Sequence, residues 1–258
     1  MPDKEKVCTG GDLAEVLSRT RLSAEEAIAW KSDLEAAHKD SSATMTAKEM
    51  VDYWSSIGSE MVHADDKPYL RADKFQTQLY PVPWAGPILS ADVFLLFLNP
   101  GYVSHEDEYE KQPTLARLLR DNLKGDQPYF YLQEEFRNHP GYDLAHRTFG
   151  DGIKEYLSRI CVLQLVAYHS TDGGEARKVA ASLPSSKKTI KFVQDSVLAR
   201  ARLGKVGLVI ARSSSLWGPD RVHEEKNIII YRGGECRRAY QTPASRGGEL
   251  IRQILARN

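Results

Sequence analysis

The chain has 258 residues, enough to bury a full core as one large α/β domain or a domain with an extension. Its 41% hydrophobic and 27% charged content is ordinary, and 35 basic residues balance 35 acidic ones, so any nucleic-acid surface must be local rather than a whole-molecule charge. Three widely spaced cysteines (Cys8, Cys161, Cys236) argue against a disulfide framework and against a zinc or iron–sulfur site. No metal and no cofactor are therefore expected. The opening Met-Pro-Asp-Lys-Glu-Lys lacks the apolar core of a signal peptide and no window approaches a membrane span, so a cytoplasmic protein with no membrane partner is expected.

In chain order, residues 1–62 read as a helical extension. Ser23–Glu26 and Thr46–Glu49 are capping-box patterns, the second opening a segment in which Met50, Tyr53, Trp54, Ile57 and Met61 fall at helical spacing. That stripe reads as core packing. Residues 63–258 read as the main domain. Tyr80–Pro87 is rich in proline and should be extended loop. Val93–Leu98 is a short continuous apolar run broken by Asn99-Pro-Gly101, the pattern of a strand buried on both faces, with Asn99 at its carboxyl end. Ser104–Tyr109 is acidic and reads as a solvated loop. Thr114–Asn122 and Pro128–Arg137 read as helices.

Ile160–Ala167 is a second buried strand, Ser185–Leu203 an amphipathic helix stopped by Gly204, Val206–Ala211 a third strand and Asn227–Tyr231 a fourth. A final helix runs from Gly248 to about Ala256. Strands alternating with helices predict a three-layer α/β/α fold around a central four-stranded parallel sheet. Ligands of such sheets gather at the carboxyl ends of the strands. The informative residues are therefore Asn99-Pro-Gly, Tyr168-His-Ser, Arg212-Ser-Ser-Ser, and the tract from Gly233 through Gln241 to Gly248. In that tract Pro243 and its small neighbours form a loop feeding a helix start, suited to a phosphate and bracketed by Arg232, Arg237, Arg238 and Arg246. An arginine-decorated solvated face fits the same residues. Gln164 is an amide among Val162, Leu163 and Leu165; it must pair with backbone or be aimed at a ligand, and amides suit base edges.

A central strand ending in Asn-Pro-Gly, an amide on the second strand and a late Pro/Ser loop opening the last helix resemble the uracil-DNA glycosylase superfamily, closest to its mismatch-specific and single-strand-selective branches. The resemblance covers roughly Leu79 to the C-terminus. It implies base flipping into a pocket at the sheet's carboxyl edge and metal-free hydrolysis of an N-glycosidic bond. It places Asn99 as the residue positioning the attacking water, Tyr102 and Gln164 at the flipped base, and Thr242–Ser245 where the family has His-Pro-Ser. Arg238 and Arg246 would join Thr242 and Ser245 on the DNA strand.

Two departures bear on substrate. Thr242 replaces the family histidine and Gln164 replaces a shorter asparagine, which favours a modified or bulkier pyrimidine over plain uracil, or a lineage without catalysis. Acidic help could come from Asp107 or Glu106, and His169 could replace the missing imidazole; His105 and His139 rank below it. The expectation is a monomeric, monofunctional DNA glycosylase serving base-excision repair or defence against phage DNA with modified bases. The alternatives are a catalytically silent DNA-binding relative and an unrelated α/β enzyme acting on nucleotides.

Overall fold

The computed structural model describes residues 44–257 apart from 105, 151, 219–221 and 239. The expected Ser23 helix and His105 lie outside the described residues. Helix α1 (Ala47–Ser55) opens on the expected capping box: Thr46 accepts from the Glu49 N–H, and Glu49 reaches back to the Thr46 N–H. It stops well short of Val62. Strand β1 (Trp84–Ala85) follows, then β2 (Val93–Phe97), the short helix α2 (Glu106–Glu110), α3 (Pro113–Asn122), α4 (Pro140–Phe149) and β3 (Ile160–Gln164). Beyond these come α5 (Gly173–Ala180) and α6 (Pro184–Phe192), which runs through a wide π turn at Val193–Val197 into α7 (Leu198–Arg202). Strands β4 (Gly207–Ile210) and β5 (Ile228–Ile230) and helix α8 (Arg246–Leu255) complete the chain.

The described strands form one mixed sheet of five in the order β1-β3-β2-β4-β5. The last four in sequence run parallel, with Phe97 opposite Gln164 and Leu96 opposite both Leu163 and Ile210. β1 is antiparallel to β3 and corrects the expectation of a purely parallel, four-stranded sheet with loop throughout Tyr80–Pro87. Two residues suffice there because Asn122, at the end of α3, clamps the segment. It accepts from the Gly86 N–H and donates to the Trp84 carbonyl, and its own carbonyl accepts the Trp84 indole N–H. The predicted helix at Pro128–Arg137 is instead two single 3₁₀ turns, Phe130–Leu132 and Glu134–Phe136, joined by a tilted contact between the Phe130 and Phe136 rings at 5.1 Å.

Strand alternation divides the core into two layers. Phe94, Leu96, Cys161, Leu163, Leu208 and Ile210 pack with Met50 and Trp54 of α1 and with α5 to α7. Val93, Leu95, Ile160, Val162 and Val209 pack with α3, α4 and α8. The chain leaving β2 therefore enters the second layer, whereas the chain leaving β3 enters the first. Connections from two adjacent parallel strands that depart to opposite faces open a crevice at their carboxyl ends. That switch point lies between β2 and β3, and both the Asn99 turn and the Gln164–Ser170 segment sit on it.

Candidate functional site at the carboxyl edge of β2 and β3

Pro100 and Gly101 end the ladder of β2, but the two strands keep company past it. The Leu165 and Val166 N–H groups donate to the Phe97 and Leu98 carbonyls, and the Tyr102 N–H donates to the Ser170 carbonyl at 3.1 Å. Asn99 is fixed across this junction. Its Nδ2 donates to Ser170 Oγ at 2.9 Å and to the Pro100 carbonyl at 2.7 Å, while the Ser170 hydroxyl donates onward to the Asp172 carbonyl. With both amide hydrogens committed, Oδ1 has no partner among the described residues and the side chain stays half-buried. The result is a carbonyl acceptor of fixed orientation. Tyr102 is half-buried beside it.

Gln164 is the last residue of β3 and 9% exposed. Its N–H is used by the Pro83 carbonyl, yet its side-chain Oε1 is buried without a hydrogen-bond partner. A buried, unpartnered amide oxygen costs on the order of 1–3 kcal/mol. Opposite it in register stands Phe97, over whose ring the Arg212 guanidinium lies at 5.9 Å. Arg212 is exposed and makes no ion pair among the described residues. The following Ser213 adopts a left-handed conformation (φ 55°), its hydroxyl held by Arg177.

Beneath the Asn99 turn lies a group of buried ionisable side chains. Glu106 and Glu110, one turn apart on α2, are each 4% exposed, His139 2% and His169 1%. His169 Nδ1 donates to the Gly101 carbonyl at 3.0 Å and lies 3.5 Å from Glu106 Oε2; its Nε2 faces Glu110 Oε1 at 3.7 Å. His139 caps α4, its Nδ1 accepting from the Gly141 N–H, which leaves the proton on Nε2 facing Glu106 Oε1 at 3.6 Å. Glu106 accepts from the Val103 N–H and Glu110 from the Tyr80 N–H. Burial pushes the Glu110 carboxyl up to about 7, with His169 opposing and Glu106 adding to the rise. Burial pulls His139 down to about 4 against the attraction of Glu106. Burial works to lower His169 as well, but the hydrogen bond to Glu106, the charges of Glu110 and Glu106 and the Gly101 carbonyl together raise it.

The expected site residues thus fare differently. Asn99, Tyr102, Gln164 and His169 share one edge of the sheet. His169 is directed beneath the turn, away from solvent, so it acts on the turn through the Gly101 carbonyl. Asp107 points the other way, in an i,i+4 pair with Lys111 at 2.9 Å, and its neighbours Glu106 and Glu110 take the interior. At the start of α8, Ser245 caps the helix by accepting from the Gly248 N–H, and the Gly247 N–H donates to the Tyr231 hydroxyl. Arg246 is bound by Glu224 at 2.6 Å and Glu235 at 3.2 Å. Those N–H groups and that guanidinium are engaged within the protein. Thr242 lends its carbonyl to the Ser245 N–H and hydroxyl; the Arg238 side chain lies outside the described residues.

Sequence reasoning passed over Glu110 and the burial of Glu106; the Glu-x-x-x-Glu spacing, which puts both on one helical face, was the available signal. An open, polar depression of about 370 Å³ lined by Gly204, Glu225, Asn227 and Arg257 lies at the opposite, amino ends of β4 and β5, away from this chemistry. No family model, no curated protein and no solved structure matches this chain.

Proposed function

We propose that the chain is a monofunctional DNA glycosylase that flips a modified pyrimidine, or uracil, into the crevice between β2 and β3 and hydrolyses its N-glycosidic bond. The observation that carries this reading is Asn99: an amide whose N–H groups are tied to Ser170 and Pro100, leaving a fixed acceptor at the sheet's switch point. In this reading Oδ1 orients one water toward C1′ of the flipped nucleotide. The C1′–N bond breaks with its electron pair leaving on the base, the water oxygen bonds to C1′, and the water's proton passes to solvent or base. The transition state resembles an oxocarbenium ion and asks mainly for placement and electrostatic support.

Gln164 faces the hydrogen-bonding edge of the base, its orphaned Oε1 accepting an N–H and its Nε2 donating to a carbonyl. His169 is a positioning residue holding the Gly101 carbonyl and with it the turn that carries Asn99. A second reading, a base-binding relative without catalysis, draws support from Thr242 standing where the resembling family has histidine.

The test incubates the protein with duplexes and single strands carrying uracil, a thymine mismatch, hydroxymethylcytosine or its glucosylated form, then applies alkali. Strand breaks at one base, reduced roughly 10²–10³-fold by Asn99→Ala, are expected. Binding of a modified strand without breaks would establish the silent relative, and the absence of both binding and breaks rejects the crevice as a base site.

A further inference from the structure

The Glu106–Glu110–His169 group has a geometry that hydrogen bonding leaves unexplained. Two of its atoms, Glu110 Oε1 and His169 Nε2, are buried without any hydrogen-bond partner, and so is Nε2 of the neighbouring His139. Native proteins rarely leave several such atoms together, and two carboxylates withdrawn from water in one place call for a compensating positive charge. A helix of five residues places both glutamates inward, while the segment following β3 brings His169 to them.

The details favour a cation over a shared proton. His169 Nδ1–H is committed to the Gly101 carbonyl, which fixes the ring and turns the Nε2 lone pair toward Glu110. That arrangement, one ring nitrogen on a backbone carbonyl and the other free, is how metal-bound histidines are oriented. The gap from Nε2 to Glu110 Oε1 is 3.7 Å, too long for a hydrogen bond. Two donors each about 2.1 Å from one ion stand about 3.4–3.6 Å apart when the angle between them is roughly 110–120°, so the gap is close to that of a pair of ligands. Glu106 brings a third donor, and one donor atom from each of the three residues lies within 4.8 Å of the others. His139 cannot ligate, because its Nδ1 accepts the Gly141 N–H; its Nε2–H instead faces Glu106 and would steady that carboxylate as an outer partner.

We propose that Glu106, Glu110 and His169 bind one divalent transition-metal ion beneath the Asn99 turn. One nitrogen and two carboxylates suit zinc, manganese, cobalt or iron(II), and three protein donors leave room for water to complete the shell. The ion would not touch substrate. Its place in the molecule is mechanical: through His169 and the Gly101 carbonyl it fixes the turn on which Asn99 stands. This inference stands independently of the proposed activity, since it concerns only these three side chains.

The experiment uses the full chain, freed of metal by chelator and dialysis, then titrated with Co²⁺, Zn²⁺ or Mn²⁺ alone. Expected are one equivalent bound, a cobalt d–d spectrum of a low-symmetry N/O site, and a melting temperature that rises with metal concentration. In Glu110→Gln, which keeps the shape of the side chain, the spectrum should vanish and the affinity fall at least 100-fold, while Asp107→Asn, on the outer face of the same helix, should bind as the parent does. If no equivalent binds, or if Glu110→Gln raises the melting temperature and binds metal like the parent, the group is a proton-sharing cluster and the metal site is refuted.

Discussion

A glutamine at the last position of a buried strand must either find a protein partner or await a ligand, and Gln164 has found none for Oε1. The two explanations separate on substitution. Leucine fills similar space without an amide, so Gln164→Leu should raise stability by about 1 kcal/mol while removing discrimination among bases. Thermal melts and the base panel together read both effects. A variant that loses stability and keeps its base preference shows the amide to be structural. This residue was legible in the sequence because an amide among Val162, Leu163 and Leu165 stands out. Glu106 and Glu110 were not. Flanked by Asp107 and Glu108 they look solvated, and their burial is imposed by partners far along the chain, the Tyr80 N–H, His139 and His169. Asn99 was legible as a strand end, but its fixed orientation depends on Ser170, a contact across 71 positions that no local pattern encodes.

Among the elements, the four parallel strands came through well because each is an apolar run closed by turn residues, and helix α8 because Ser245 and the glycines announce its start; the two-residue β1 carries no such signal. What those glycines do was hidden. A Cβ on Gly248 would lie 1.9 Å from the Thr242 carbonyl oxygen, so the residue serves close packing of loop on helix rather than an open anion nest. Beside it Arg246 pairs with Glu224 and Glu235, joining α8 to the segments flanking β5. That joint carries a pH signature. Burial works to raise the Glu224 carboxyl, yet the Ile230 N–H and Arg246 outweigh it and hold it below its ordinary value. A carboxylate depressed on folding contributes stability above its unfolded pKa and loses it as pH falls through the folded one. Glu224→Gln should therefore cost about 0.5–1 kcal/mol at pH 7, modest because the pair is half in water, and almost nothing at an acid pH below the folded pKa of Glu224. Equal losses at both pH values in urea melts would locate the effect in packing instead.

At the scale of the whole molecule, helix α1 raises the question of what the core requires. The capping box and the Met50/Trp54/Ile57 stripe predicted an amphipathic helix, and these three side chains lie in the same cluster as Phe94 and Leu96 of the central strand. Met50 and Trp54 are wholly buried, and the Met45 backbone is pinned to Asp195 and Ser196 in the π turn between α6 and α7. Chain order alone makes this region an extension; packing makes it part of the layer that covers the sheet on the α5–α7 side. Removing a buried tryptophan costs about 3–5 kcal/mol and a buried methionine about 2–5, and together these rival the 5–15 kcal/mol that hold a typical domain folded. A chain beginning at His63 would lose both and uncover the part of that cluster they cover, including Tyr168, whose ring lies 6.2 Å from that of Trp54. It should show no cooperative thermal transition and bind a hydrophobic dye such as ANS, whereas Thr46→Ala, which removes only the cap, should melt cooperatively with a loss of about 1 kcal/mol. If residues 63–258 instead melt within a few degrees of the full chain, the sheet holds its own core and α1 is an appendage. The consequence reaches the site, because Tyr168, which precedes His169, donates to Asp66 and packs its ring near Trp54. Loosening that layer loosens the segment that holds Asn99 in place.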